Sequence, residues 1–172
     1  MMGARPVRAA GVRLAAAGAA GLVALAGALA GCGSPARHLA QAATGPPVTI
    51  KARRLPGAGT VLVSSRGYAL YMFEPDAQRL VTCTGLCAAT WPPVKISAGA
   101  RLVAGPGVRA ALLSTDPDPA GGRVVTYGGW PLYGYSGDVE PGQDTGQAID
   151  LNGGDWYLMR PSGKPLITGP AG

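Results

Sequence analysis

From Val48 onward the chain is a series of short stretches in which apolar and polar positions alternate or apolar residues run together, each ended by Gly, Pro or Asp. "TVLVSS" from Thr60, "YALYMFE" from Tyr68, "ALLST" from Ala111, "RVVTYGG" from Arg123, "PLYGYS" from Pro131 and "DWYLMR" from Asp155 all predict strands. No stretch sustains a helical period, and 28 glycines and 16 prolines argue against long helices. One short helical turn is expected in "GLCAATW", beside the cysteine pair, where Ala and Leu cluster ahead of two prolines.

Two of these stretches are versions of one phrase. "GYALYMFEPD" at 67–76 returns 62 residues later as "GWPLYGYSGD" at 129–138. Residues two apart on a strand share a face, so Tyr71 and Phe73 point one way and Leu70 and Met72 the other. Tyr133 and Tyr135 likewise share a face opposite Leu132. Asp76 and Asp138 follow in turn sequences, where an aspartate commonly accepts hydrogen bonds from nearby backbone N–H groups. Upstream of each copy lie another strand and a Gly-containing turn; downstream, Trp91 and Trp156 close the two units. Each unit therefore reads as a β-hairpin that cannot bury its aromatic face alone. The expected fold is all-β: two pseudo-repeated hairpin units, about 60–96 and about 122–160, packed as a small sandwich or barrel.

The N-terminus has a different character. Arg5, Arg8 and Arg13 precede an uncharged run of 18 residues that ends at Cys32 with "LAGC". Basic residues, an apolar run and small residues before a cut site predict a signal peptide over 1–31. The alternative, an uncleaved membrane helix, is disfavoured by the shortness of the run and its weakly hydrophobic Ala and Gly content. Cysteine after Leu-Ala-Gly resembles the bacterial lipobox, which implies acylation of Cys32 and attachment to the extracytoplasmic side of the cell membrane. Residues 33–47, rich in small residues and proline, read as a tether of roughly 20 Å, leaving 48–170 as one domain.

Charge narrows the choice of partners. Three of the fifteen basic residues lie in the leader, leaving twelve against nine acids, an excess of +3. The only basic cluster, "KARR" at 51–54, is not interleaved with aromatics, so no nucleic-acid partner is expected. It faces either anionic lipid or plain solvent. The expected partners are the membrane, through the anchor, and an unknown envelope component or small ligand.

Candidate chemistry is sparse. The single histidine, His38, lies in the tether, which removes the usual base for serine or cysteine hydrolysis. Cys83 and Cys87 are four apart in an exported chain and predict a disulfide; Cys-x-x-x-Cys in an all-β setting is not the pattern of a thiol oxidoreductase. Haem attachment and a four-ligand zinc site both lack residues. Glu74, Asp76, Asp138, Glu140 and Asp144 are the remaining polar resource, without a calcium-loop spacing, and read as turn-fixing acids on a solvated rim. The four motif aromatics read as core, with a surface platform for a sugar, a flat cofactor or a partner strand as the alternative.

"GYALYMFEPD", "TCTGLCAATWPP", "PLYGYSGD" and "GGDWYLM" together resemble the secreted-repeat lipoproteins of bacterial envelopes that carry a Tyr-x-(Phe/Trp/Tyr)-x-x-Asp motif. The resemblance spans Val61 to Met159 and implies export, lipidation and two motif copies. The second copy departs from the first in having Gly134 between its two aromatics, where the first has Met72. The expectation is a non-enzymatic, lipid-anchored envelope protein with a binding or interaction role and no cofactor. The alternative is a redox or metal-handling accessory using the aromatic-acid motifs or the cysteine pair.

Overall fold

The computed structural model describes residues 45–76 and 79–167. The leader, Cys32, the tether as far as residue 44 and residues 168–170 lie outside the described residues, as does His38.

Among the described residues ten short strands carry the fold. β1 (Val48–Leu55) and β2 (Gly59–Ser64) form an antiparallel pair, and β5 (Leu102–Ala104) joins β1 in parallel. β3 (Tyr71–Phe73), β10 (Asp155–Leu158) and β9 (Ile149–Asp150) make a second sheet in that order. β4 (Lys95–Ile96), β7 (Arg123–Tyr127) and β6 (Leu113–Pro117) make a third, with β8 (Trp130–Pro131) also paired to β7. Among the described residues one short helix, α1 (Leu86–Thr90), contains Cys87, and 3-10 turns occupy Glu74–Asp76 and Ala110–Leu112. The all-β class and the helical turn are as the pattern predicts; of the two packings expected, the barrel is excluded because the three sheets remain open.

Both hairpins are present. In the second, Gly128 and Gly129 turn the chain between β7 and β8 at φ 61° and 89°, conformations that side chains resist. In the first, β2 turns through Ser64–Tyr68 and returns as a single antiparallel bridge, Val63 to Ala69. The strand around β3 is buried on both faces, in keeping with its alternation: Tyr71 and Phe73 enter one hydrophobic cluster with Trp91, Tyr133 and Trp156, while Leu70 and Met72 enter another with Val125, Leu132 and Met159.

The halves do not fold side by side; they exchange ends. The segment after Trp156 pairs with β3 of the first unit, placing Trp156 opposite Phe73 and Leu158 opposite Tyr71. The segment after Trp91 goes to the second unit, where Pro93 bridges Tyr133 and β4 pairs with β7. Between the units, Tyr71 N–H donates to Tyr133 O and Tyr133 N–H to Tyr71 O, both at 2.9 Å. The exchange closes two matching rings of three backbone hydrogen bonds. Leu70 N–H donates to Leu62 O, Leu62 N–H to Met159 O and Met159 N–H to Leu70 O; equivalently, Leu132 N–H donates to Val125 O, Val125 N–H to Val94 O and Val94 N–H to Leu132 O. Each ring takes two residues from one unit and its third from the other.

Candidate functional site

The side chains repeat the exchange. Tyr71 lies in β3, whose extended backbone drives its phenol into the core, and its hydroxyl donates to Asp138 Oδ2 of the other unit at 2.7 Å. Tyr133 reciprocates, donating to Asp76 Oδ2. The second oxygen of each acid stays within its own unit. Asp76 Oδ1 accepts from Thr82 N–H and Thr82 Oγ1, both at 2.7 Å, and Asp138 Oδ1 accepts from Thr145 N–H at 2.9 Å and Thr145 Oγ1 at 2.6 Å. Gly146 N–H donates to the Tyr71 hydroxyl at 3.2 Å, so that oxygen both gives and receives.

Asp76 and Asp138 are 0% and 5% exposed, so these two acids are not the solvated rim that turn statistics suggest. A carboxylate is withdrawn from water only when hydrogen bonds replace the lost hydration, and here threonine and tyrosine supply them. Burial pushes both phenols far above the usual tyrosine range, and the hydrogen bonds and negative charges of Asp138 and Asp76 add to the push. At Tyr71 the Gly146 N–H opposes it. Asp144 is also raised, by burial first and then by the charge of Asp138.

Beside these pairs the remaining motif aromatics form one column. Phe73 stacks on Trp156 with centroids 4.2 Å apart, Trp156 on Trp91 at 3.9 Å and an interplanar angle of 1°, and Trp91 on Tyr135 at 4.2 Å. Tyr71 and Tyr133 meet the tryptophans edge-on, at 5.4 Å and 5.2 Å. Tyr71, Phe73 and Tyr133 are buried, which rules out a four-residue surface platform. The core reading holds for these three, while Tyr135 is half-buried.

On the face turned away from the column the two copies differ. Met72 fills the position between Tyr71 and Phe73, whereas Gly134 leaves its counterpart empty, and a groove of about 330 Å³ opens there. Tyr135, Ser136, Ser64, Arg66 and Tyr68 line it. Its one carboxylate, Asp138, has both oxygens engaged. The Arg66 guanidinium lies 5.7 Å from the Tyr68 ring centroid, a cation-π contact at an exposed site.

Elsewhere, Cys83 and Cys87 sulfurs lie at disulfide distance with Cα atoms 5.2 Å apart. Arg79 and Lys95 of the first unit pair with Asp116 in β6 and Asp118 just after it at 3.3 Å and 2.9 Å. Among the described residues no three His, Cys, Asp or Glu side chains converge as metal ligands, and no helix is long and apolar enough to cross a membrane.

Sequence reasoning missed several of these residues. Thr82 and Thr145 have a signal after the fact, since a threonine follows each motif aspartate by six or seven residues. Gly146 is dictated by proximity, because a Cβ there would lie 2.8 Å from the Trp91 ring. Arg66, Tyr68 and Ser64 carry no motif at all.

Fold and site together define an internally duplicated β-domain whose two units complete each other's acid pairs, sheets and aromatic column. The chain belongs to the family described as a secreted repeat of unknown function, whose model matches residues 55–95 and 114–159, one stretch per unit. No curated protein and no solved structure matches it.

Proposed function

We propose that this is a lipid-anchored protein of the cell envelope, held through Cys32, whose β-domain binds a ligand or partner and catalyses no reaction. Membership of a secreted family supports export, and "LAGC" ahead of a short tether supports the anchor. The observation that carries the binding role is the groove at Gly134. The duplicated architecture fills one copy of this position with Met72 and leaves the other open beside a half-buried tyrosine, and concave sites lined by aromatic rings and a few polar groups are where small ligands bind.

The test is amide-shift mapping of the mature chain against soluble envelope fragments: neutral glycans, sugar acids and short peptides. Shifts clustering on Ser64, Arg66, Tyr68, Gly134 and Tyr135, and lost in Gly134→Met, are expected. Shifts scattered over the surface, or none with any fragment, would remove the binding reading. Mass spectrometry of membrane-extracted protein tests the anchor; an unmodified Cys32 counts against it.

The aromatic column favours a second reading, a redox accessory. An electron taken from Tyr71 by an external one-electron oxidant leaves a phenoxyl radical and passes the phenolic proton to Asp138, 2.7 Å away. Photo-oxidation with a ruthenium complex checks this: a long-lived tyrosyl signal that Tyr71→Phe and Tyr133→Phe together abolish supports it, and rapid non-specific decay dismisses it.

A further inference from the structure

The groove sits beside an unneutralised group of cations. Lys51 and Arg53 are two apart on β1 and share a face with their partners Val63 and Val61. Their aliphatic stems follow that face and their charged ends emerge at the Ser64–Tyr68 turn: Lys51 Nζ donates to Ser65 O at 2.8 Å, and the Arg53 guanidinium lies against Gly67 and Gly142. Arg66, in the middle of the same turn, also lines the groove. Among the described residues none of the three is ion-paired to a carboxylate; the ion pairs present are Arg79–Asp116 and Lys95–Asp118. Asp138, the carboxylate in the groove wall, is saturated by Tyr71 and Thr145. Lys51, Arg53 and Arg66 thus set three positive charges beside the groove against the one negative charge that Asp138 retains, since hydrogen bonds from neutral Tyr71 and Thr145 do not neutralise it.

The polar lining has a second character. Ser64, Tyr68, Tyr135 and Ser136 line the groove; Ser64 Oγ accepts from Tyr68 N–H at 3.2 Å, leaving its own proton to donate, and the Tyr68 hydroxyl donates to Val139 O at 3.4 Å, leaving its lone pairs to accept. A hydroxyl both donates and accepts, so such a set is matched best by a ligand whose own groups are hydroxyls. At about 330 Å³ the groove lies at the small end of ligand sites and suits one ring rather than a polymer segment.

We propose that the groove at Gly134 takes an anionic sugar, with its hydroxyls on Ser64, Ser136 and Tyr68 and its phosphate or carboxylate toward Arg66 and the basic turn. The assignment rests on the binding reading above and adds the ligand's chemistry to it.

The experiment titrates the full mature chain with glucose 6-phosphate, glucuronate, glucose, benzoate and inorganic phosphate, following amide shifts and calorimetric affinity, with phosphatidylglycerol vesicles as a separate arm. Both sugar acids are expected to shift Arg66, Gly134 and Tyr135 and to bind about tenfold or more tightly than glucose, the size of one charge-assisted hydrogen bond. Arg66→Gln is expected to remove that advantage, and Gly134→Met, which fills the groove without altering charge, to abolish binding while the circular dichroism spectrum is unchanged. Glucose binding as tightly as its phosphate overturns the anionic part of the assignment. Benzoate or inorganic phosphate binding as tightly as the sugar acids overturns the sugar part. Vesicle binding that depends on Lys51 and Arg53 but survives Gly134→Met, with no shift from the sugar acids, assigns the cations to a membrane surface and also overturns the proposal. If neutral glycans or peptides still shift the groove amides in that case, the binding reading stands without its anionic sugar.

Discussion

The phenol–carboxylate pairs are where single atoms matter most. Tyr71→Phe removes the donor to Asp138 Oδ2 and leaves a buried oxygen without its partner. The expected loss is about 1.5 to 3 kcal/mol, the range for hydrogen bonds to charged groups, read from urea midpoints. Tyr133→Phe should lose a similar amount through Asp76, and a double-mutant cycle with Asp138→Asn should show coupling to Tyr71 and not to Tyr133. The same phenols set the alkaline limit. Their folded pKa values lie above the unfolded value of about 10. Their contribution is complete below about pH 10 and falls as pH rises further, by about 1.4 kcal/mol per pH unit for each tyrosine, because only the unfolded chain releases the protons. Alkaline titration should therefore show two phenols ionising together with the loss of circular dichroism. Two phenols ionising in a still-folded chain would contradict the buried pairing.

Among the elements, α1 depends on neighbours that barely touch it. None of its residues is buried, Leu86 is 88% exposed, and its five residues are too few to hold a helix alone. What holds it is the Cys83–Cys87 link and Trp91, which caps it by donating its N–H to Cys87 O at 2.8 Å. Replacing both cysteines with serine should cost about 1 to 3 kcal/mol, low in the disulfide range because the loop is short, with amide protection lost first at Cys87–Trp91. Gly146→Ala acts on the opposite side of Trp91. Its Cβ would press on Trp91 and on Tyr71, displacing the column by overpacking at about 1 to 3 kcal/mol, and the near-ultraviolet spectrum should report the disturbed rings.

At this scale it is also clear what the sequence displays. The hairpins, the two buried faces around Tyr71 and the turn at Cys87 are local consequences of alternation, glycine placement and composition, so they are legible from the residues themselves. Asp76 and Asp138 read as turn acids because bonding to a nearby backbone N–H is the chemistry their neighbours advertise, and Thr82 and Thr145 do supply such a bond. Their other oxygens belong to tyrosines 57 and 67 residues away. No local pattern specifies a partner at that separation; it follows only once the units are known to exchange ends. The Gly134-for-Met72 difference is visible in the sequence, but the groove is not, because its other wall, Ser64, Arg66 and Tyr68, comes from the turn of the first hairpin and meets Gly134 only in the fold.

For the whole molecule, the exchanged ends make the two units interdependent. Each half alone lacks one member of a backbone ring, one acid for its tyrosine and half of the aromatic column. Two fragments, one ending at Val108 and the other beginning at Arg109, should each be unfolded in isolation and should recover the native near-ultraviolet spectrum on mixing, with a rate that depends on concentration. A fragment that unfolds cooperatively by itself would count against the interdependence.

The order in which the chain is delivered gives this architecture a further consequence. A polypeptide emerging N-terminus first, from the ribosome or through an export channel, presents Tyr71, Phe73 and Trp91 before any of their partners at Tyr133, Asp138 and Trp156 exist on the far side. The first unit must wait as exposed aromatic strand until residues up to Met159 have followed, since Met159 closes the ring with Leu62 and Leu70. Folding is thereby tied to completion of transit. A chain that stalls or is truncated part-way remains an open substrate for chaperones and proteases, and the native domain forms only from a fully delivered chain.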